Sequence, residues 1–325
     1  NATEHLHPGE YAGRSTALAD LIRARGNMIP KVSLVIAAFN MPRELPRTVR
    51  SLSPGMQHGV GACDYEIIVV DNGSTRRFDV DECRRWGADV RVLRIDPAVA
   101  SRSPVRALNA GIEQARGEVI GAMIDGARLA SPGTVASALR AARIADRAVI
   151  LTLGFHLGRK VQMQSVLEGY DAAEEDRVLE AVRWHEDGYR LFDVSVFAGS
   201  SRNGWFEPIS ESNALFMRRS LWEELGAFDE RFESAGGGWV NLDTLARAVR
   251  LPDAVVVTLL GEGTFHQVHG GVATNAPDGT DLGFEAEYRR IRGDLYRRPE
   301  YHSLYLGRLT GVGGRAREPR LEPVS

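Results

Sequence analysis

Short apolar runs alternate with longer amphipathic stretches from residue 31 onward. Such runs, bounded by turn residues, indicate strands that are buried on both faces, as in a parallel sheet. Regular alternation of strand and helix is typical of right-handed βαβ crossovers. The pattern predicts strands near 32–38, 65–71, 90–95, 118–124 and 148–153, and helices near 43–53, 77–86, 104–116 and 132–144. We therefore predict an α/β fold with a mostly parallel central sheet flanked by helices.

The alternation breaks after residue 153. Residues 155–206 are polar and helical in part, and we interpret them as a helical insertion that shapes a pocket. A strand and a helix resume at 213–228, and a further buried strand is predicted at 254–260. The glycine-rich stretch 261–279 is expected to be a loop.

Both ends of the chain fall outside this pattern. Leu18, Leu21 and Ile22 predict an amphipathic helix in an N-terminal extension, residues 1–29. Residues 286–325 are rich in arginine, and we expect a solvated C-terminal arm of helix and coil that packs on the body or contacts another copy. A membrane-surface patch is the less favoured alternative.

Composition excludes several classes of protein. The formal charge of −3 argues against a general nucleic-acid-binding surface. No apolar run approaches the roughly 20 residues that a transmembrane helix needs. Two cysteines, Cys63 and Cys83, fit a reducing compartment better than a disulfide scaffold. We expect a cytoplasmic protein, with peripheral association with a membrane left open.

Two of the predicted strands end in an aspartate that a glycine-containing turn follows at once. Asp71 precedes Asn72-Gly73, and Asp125 precedes Gly126. In open α/β sheets, ligands bind beyond the carboxyl ends of the strands. The alternative is that each aspartate only caps its turn. Two such aspartates in one sheet favour a ligand or metal site.

Four segments, taken in order, resemble the nucleotide-binding half of family two glycosyltransferases with the GT-A fold. They are Ser33-Leu34-Val35-Ile36-Ala37-Ala38-Phe39-Asn40, Tyr65-Glu66-Ile67-Ile68-Val69-Val70-Asp71-Asn72-Gly73-Ser74, Leu108-Asn109-Ala110-Gly111-Ile112-Glu113-Gln114-Ala115-Arg116-Gly117-Glu118-Val119-Ile120 and Met123-Ile124-Asp125. The resemblance is strong over 30–130 and weaker over 210–250. It implies a single GT-A domain at 30–285, with a nucleotide-binding half at 30–130 and an acceptor half at 131–285.

The resemblance implies a nucleotide-sugar donor of the UDP, GDP or dTDP type. It places Ala37, Phe39 and Asp71 at the base, where Phe39 would stack and Asp71 would accept a ring N–H. Such a charge-assisted hydrogen bond is worth roughly 1.5–3 kcal/mol. Arg102 and Arg106 would contact the nucleotide or its phosphates, and a solvent-facing arginine is the alternative for each.

Asp125 matches the first carboxylate of the family's Asp-x-Asp signature, which holds a divalent cation, Mn²⁺ or Mg²⁺, against the diphosphate. Contact with the ribose alone is a second option for Asp125. The third position of the signature is Ala127, which has no side-chain ligand. The resemblance suggests that a late histidine, His266 or His269, completes the site. Either histidine could instead bind phosphate directly or be structural.

The Glu-Asp pair that usually supplies the general base in the family is absent, because Val240 and Asn241 replace it. Asp243 and Glu211 are the candidates that remain, since a base must accept the proton of an acceptor hydroxyl. Asp243 could instead stabilise a helix N-terminus.

The resemblance thus implies a hexosyltransferase-like glycosyltransferase that acts on a saccharide or another polar hydroxyl compound. Trp239 is a candidate platform for that acceptor, with core packing as the alternative. A nucleotide-sugar-binding protein that has lost transfer is the rival function, and homo-oligomerisation stays open.

Overall fold

The computed structural model describes residues 29–87, 89–272, 275–276 and 280–309. The N-terminal helix expected within residues 1–29 and the end of the C-terminal arm lie outside these ranges. No helix in the described part of the chain is both long enough and apolar enough to cross a membrane.

The described strands form one mixed sheet. Its strands are β1 (Val32–Ala38), β2 (Tyr65–Asn72), β3 (Val90–Ile95), β4 (Val119–Met123), β5 (Arg128–Ala130), β6 (Ala148–Leu157), β7 (Ser195–Phe197), β8 (Ala214–Arg218), β9 (Val255–His266) and β10 (Ser303–Gly307). The order is β10-β9-β6-β8-β4-β1-β2-β3, with β5 on β9 and β7 on β6. Only β5, β7 and β8 run antiparallel to their neighbours among the described strands. The predicted α/β fold with a mostly parallel sheet is confirmed.

Helices connect the strands and cover the sheet. They are α1 (Glu44–Ser51), α2 (Val80–Arg84), α3 (Val105–Gln114), α4 (Thr134–Ala141), α5 (Gln162–Ser165), α6 (Ala172–Val182), α7 (Arg219–Leu225), α8 (Val240–Ala248) and α9 (Phe284–Arg292). Short 3-10 turns lie at Val166–Glu168, Gly188–Val194, Gly199–Ser201 and Ala235–Gly237. Asp79 caps α2 by accepting the N–H groups of Asp81 and Glu82, so this helix starts later than the predicted 77.

The core is divided between the two faces of the sheet. Successive residues of a strand point to opposite faces, so Leu34 of β1 packs into one cluster and Val35 into the other. The first cluster includes Leu45 of α1, and the second includes Leu108 of α3. Burial of each such side chain contributes about 1.5–3 kcal/mol, which fixes the sheet between the two helical layers.

The structure corrects the expectation for residues 261–266. The sequence predicts a loop after residue 260, but β9 continues through both glycines to His266. The extension contains a bulge in β9, because Leu151 and Leu153 of β6 pair with Thr258 and Gly263, with four β9 residues between them. A Cβ at Gly263 would lie 2.6 Å from Phe155, so only glycine fits beside that ring. His266 is therefore held rigidly by the sheet.

The C-terminal arm also differs from its prediction. Residues 303–307 form β10, which pairs in parallel with β9 at the edge of the sheet, rather than solvated coil. The helix α9 is mostly polar, but it buries Tyr288 near Phe232 and Trp239. The described part of the arm therefore packs on the domain, as one of the two expectations has it.

Candidate active site

Several strands bring polar side chains to one edge of the sheet. The parallel strands β1, β2, β4 and β9 end there, next to Phe39, Asp71, Asp125 and His266 respectively. Because β8 is antiparallel and Ala214 pairs with Met123, the residues that precede β8 reach the same edge. This is the edge at which open α/β sheets bind ligands.

Asp71 lies in a shaped corner of this edge. Its side chain is only 4% exposed, and one carboxylate oxygen accepts the Ser74 N–H at 2.9 Å. Arg94 reaches the other oxygen at 3.3 Å. Phe39 is 52% exposed, so it is not a core residue and its ring is free to stack. Asp71 thus both caps its turn and keeps acceptor capacity for a ligand.

Asn40 shapes this corner through a left-handed backbone conformation, with φ of 54°. Its side-chain oxygen accepts the backbone N–H groups of Thr75 at 2.9 Å and Arg76 at 2.8 Å. Asparagine tolerates positive φ because its side chain can bond locally. This bridge ties the end of β1 to the turn after β2, while Ala37 is buried within β1.

Arg102 and Arg106 line a separate cleft of about 340 Å³ beside the end of β2. Asn72 donates to the backbone oxygen of Ser101 at 2.8 Å and so fixes the segment that carries both arginines. Both side chains are exposed, and Arg106 lies 3.7 Å from Glu230. Both arginines are therefore accessible to a ligand, although Arg106 is paired with Glu230.

Asp125, His266 and His269 converge at the ends of β4 and β9. Their ligand atoms all lie within 4.8 Å of one another. The two Nε2 atoms are 3.0 Å apart, and His266 Nε2 lies 4.0 Å from the Asp125 carboxylate. Among the described residues, these three form the group of His, Cys, Asp or Glu side chains whose ligand atoms lie close enough together to hold a metal ion.

Gln162 of α5 orients the first histidine. Its side-chain oxygen lies 2.6 Å from His266 Nδ1, and because an amide oxygen only accepts, Nδ1 carries the proton. The Nε2 lone pair of His266 then points at the site. The Gln162 N–H donates to His156 Nδ1 at 2.8 Å. Sequence reasoning missed Gln162 and His156, since neither lies in a recognisable motif.

Burial keeps all three histidines neutral. It lowers the pKa of His266 well below the ordinary value, and the charge of Arg128 adds to the effect. Burial likewise lowers the pKa of His269 and brings that of His156 to about 4. Neutral imidazole is the form that ligates a metal.

Arg128 is the cation that sequence reasoning missed. Its Nε donates to the Asp125 carboxylate at 2.9 Å, and it pairs across β5 and β9 with His266. The side chain is only 8% exposed, and Nη1 is buried. Nη1 has no hydrogen-bond partner in the described part of the chain. A buried donor without a partner costs about 1–3 kcal/mol. An anionic ligand would satisfy it.

Ala127 contributes only backbone to this site. Its N–H donates to Asp125 at 2.9 Å, and its carbonyl accepts the Gln267 N–H at 2.8 Å. The side chain is fully buried. The position at which the family signature has its second carboxylate therefore anchors the turn and the end of β9.

The two candidate bases have different surroundings. Asp243 is buried, and Arg247 and Arg292 engage both of its oxygens at 2.6–2.8 Å. These contacts argue against Asp243 as a base, because two guanidinium groups hold its lone pairs. Glu211 is half-buried before β8, where its carboxylate accepts from Asn241 at 3.2 Å. Its other oxygen has no such tie among the described residues.

Trp239 lies at the N-terminus of α8 in an aromatic group. Its ring centroid is 6.1 Å from that of Tyr288 and 5.9 Å from that of Tyr296. The Trp239 side chain is partly exposed. Packing therefore accounts for part of the ring, and the exposed part faces solvent.

Comparison with known proteins decides the family. The family model described as Glycosyl transferase family 2 matches residues 33–225, more than half of the chain. The chain belongs to glycosyl transferase family 2. No curated protein matches the sequence.

Solved structures of S. aureus TarS share the fold of this family 2 chain. TarS 1–349 in complex with UDP-GlcNAc is 16% identical, with a TM-score of 0.51 over 80% of this chain and 65% of that one. The structure described as S. aureus TarS is 16% identical and covers 73% of this chain and 37% of that chain, with a TM-score of 0.47. The chain thus spans less than two thirds of each TarS chain. The GT-A-like fold implied by the sequence is confirmed.

A larger cavity, of about 750 Å³, lies away from these groups. It is bordered by Lys31 at the start of β1, by α4 and by the end of β10. Its arginines, Arg140, Arg143 and Arg308, are exposed surface residues. The strand-end side chains described above lie at the opposite end of β1.

Proposed function

We propose that this chain transfers a sugar from a nucleotide-diphosphate donor to an acceptor hydroxyl, with a divalent cation held by Asp125, His266 and His269. The convergence of one carboxylate and two neutral imidazoles at the ligand-binding edge of the sheet carries the proposal. Membership of family 2 and the position of Asp71 at the same edge of the sheet support it.

The donor set fits a divalent metal. Two ligands at right angles, each about 2.1 Å from a six-coordinate ion, are about 3.0 Å apart. The two Nε2 atoms have that separation, 3.0 Å, at which His269 Nε2–H donates to His266 Nε2 when no metal is bound, and a bound metal would displace that proton. Two imidazole nitrogens favour a transition metal such as Mn²⁺ over Mg²⁺, which prefers oxygen. The bound cation would neutralise charge that develops on the departing diphosphate.

Residues of the chain would bind the two ends of the nucleotide. Phe39 stacks on the base and Asp71 accepts a ring N–H, while Arg102 and Arg106 approach the nucleotide from their cleft. The unpaired Nη1 of Arg128 donates to a phosphate oxygen. UDP sugars are the first donors to test, because a TarS structure of the same fold holds UDP-GlcNAc.

Glu211 is the general base of this proposal. In an inverting transfer, the acceptor oxygen bonds to the anomeric carbon as the bond to the diphosphate breaks. The electron pair leaves with the nucleoside diphosphate, and the hydroxyl proton passes to Glu211. The Asn241 amide holds one oxygen of Glu211 and leaves the other for the hydroxyl. Trp239 lies on the acceptor side, where its exposed edge suits a saccharide or another polar hydroxyl compound.

A donor-turnover assay tests the proposal. The protein is incubated with UDP, GDP and dTDP sugars and Mn²⁺, and nucleoside diphosphate release is measured. Asp125→Asn should abolish release, while Asp146→Asn, at an exposed carboxylate before β6, should not. Absence of both turnover and nucleotide binding would refute the proposal. Asp125-dependent nucleotide binding without transfer to any acceptor would favour the rival, a donor-binding protein.

A further inference from the structure

Val268 lies between the two histidines of the proposed metal site and directly precedes His269. His266 is fixed as the last residue of β9, but His269 lies beyond the sheet. Gln267 bonds to the Ala127 carbonyl through its backbone N–H and to the Glu44 carbonyl through its side chain. The position of His269 then depends on what holds Val268.

Glu175 of α6 binds the backbone N–H of Val268. One carboxylate oxygen accepts the Val268 N–H at 2.7 Å, and the other accepts from Arg43 at 2.7 Å. The Glu175 side chain is 0% exposed. Taking a carboxylate out of water costs several kcal/mol, so a buried pair of this kind needs compensating contacts.

Arg43, just before α1, holds the C=O side of the same residue. Its Nη1 donates to the Val268 carbonyl at 3.0 Å, and its Nη2 donates to Glu175. Glu175 and Arg43 therefore form hydrogen bonds with the backbone N–H and C=O of Val268, and they also bond to each other. We call this arrangement the Val268 clasp. It joins the start of the nucleotide-binding half, the 155–206 insertion and the segment after β9.

We infer that Glu175 and Arg43 are positioning residues that set His269 for metal binding through the Val268 clasp. The inference rests on the proposed function. It also gives the 155–206 insertion a role at the site, because its helix α6 supplies the carboxylate that holds the ligand-bearing turn. Neither residue touches donor or acceptor in this scheme. Partners that orient metal ligands typically change metal affinity by about 10–100-fold when they are lost.

Titration of the full chain with Mn²⁺, followed by electron paramagnetic resonance, tests the inference. Glu175→Ala should weaken Mn²⁺ binding by about 10–100-fold. The matched control is Asp176→Asn, which also loses a contact to Arg43, at 3.0 Å, but removes no group that the structure records on Val268. It should bind Mn²⁺ as the wild type does. Equal affinities of Glu175→Ala and the wild type would overturn the inference.

A double-mutant cycle separates positioning from general destabilisation. If Glu175 acts through His269, Glu175→Ala should cost no further Mn²⁺ affinity in a His269→Ala background. An additive loss would overturn the inference. Circular dichroism checks that each variant is folded. If Glu175→Ala does not fold, Arg43→Lys carries the same test, because lysine keeps the charge but cannot grip Glu175 and Val268 together.

The wild type and Asp125→Asn distinguish this inference from the proposed function. Mn²⁺ binding that is absent, or unchanged in Asp125→Asn, refutes the proposed metal site and the inference with it. Mn²⁺ binding that depends on Asp125 but not on Glu175 or Arg43 refutes the inference alone.

Discussion

His266 and His269 bring their Nε2 atoms to 3.0 Å from each other, although only His266 belongs to the sheet. Gln162 accepts the N–H of His266 Nδ1 and so turns the opposite nitrogen toward His269. Burial favours the neutral form of both rings. The pair therefore offers two nitrogen atoms next to Asp125, and in the proposed site these would take the place of the carboxylate that Ala127 lacks.

Removal of either histidine should weaken the proposed metal site. His266→Ala or His269→Ala should weaken Mn²⁺ binding by at least about 100-fold, because one of three protein ligands is lost. Isothermal titration with MnCl₂ measures the change. His302→Ala, at an exposed position before β10, is the control and should leave the affinity unchanged. Retained affinity in both site variants would show that the metal binds elsewhere.

Substitution of Arg128 should change the affinities for the metal and for the donor in opposite directions. Arg128→Gln removes a positive charge beside Asp125 and should tighten Mn²⁺ binding by about tenfold. The same variant should weaken donor binding by about tenfold or more, because a charge-assisted hydrogen bond to phosphate is lost. Arg128→Lys keeps the charge and should leave Mn²⁺ affinity near that of the wild type. Parallel losses of both affinities in Arg128→Gln would instead indicate local unfolding.

Substitution of Glu211 should lower the catalytic rate, whereas substitution of Asp243 should lower the stability of the fold. Glu211→Gln should lower kcat by about 10²–10⁴-fold, the usual contribution of a general base, with little change in Tm. Asp243→Asn should destabilise the fold by about 3–5 kcal/mol, because it leaves Arg247 and Arg292 without their buried partner. Steady-state kinetics and thermal unfolding of both variants measure these effects. The reverse pattern would restore Asp243 as the base.

Much of the fold follows from apolar periodicity. The strands and helices predicted between residues 32 and 153 are found within a few residues of their predicted bounds, because most of these strands are buried apolar runs with turn residues on both sides. The sequence does not predict the short strand β5, and the edge strand β3 buries only Val90. The extension of β9 does not follow from the sequence, since Gly261 and Gly263 are locally typical of a loop. Their reason is tertiary, because Gly261 has a φ of 77° within the bulge of β9 and the Phe155 ring lies beside Gly263.

The candidate site follows from sequence only where a residue lies in a motif. Asp71 and Asp125 are visible as strand-end carboxylates, and His266 and His269 as a polar pair between glycines. Arg128, Gln162 and Glu175 have no such signal, because pairing between distant strands and the packing of the insertion bring them to the site. The contacts that disfavour Asp243 as a base do not follow from the sequence, because its partner Arg292 lies 49 residues further along the chain.

Asp71 should control affinity for the nucleotide base. Asp71→Asn replaces a charged acceptor with a neutral amide, and it should weaken binding of the preferred nucleoside diphosphate by about 10–100-fold. Fluorescence titration measures binding of UDP, GDP and dTDP. Asp253→Asn, at an exposed turn before β9, is the control. If the phosphates alone determine affinity, Asp71→Asn will bind all three nucleotides as the wild type does.

Glu175 should make the stability of the fold depend on pH. Burial raises the pKa of its carboxyl to about 7 from an ordinary value of 4.5, although Val268 and Arg43 oppose this shift. A carboxyl group with a raised folded-state pKa binds its proton more tightly in the folded protein. Its contribution to stability is therefore complete below pH 4.5 and is lost as the pH rises through 7.

The Glu175→Gln variant isolates that contribution, because glutamine keeps the size of the side chain and does not titrate. Between about pH 5 and 8, at the order of magnitude set by the shift, the wild type should lose up to ~3 kcal/mol of unfolding free energy relative to the variant. Urea unfolding at a series of pH values measures both proteins, so titrations common to the two cancel. A constant difference across this range would mean that Arg43 keeps the Glu175 pKa near its ordinary value.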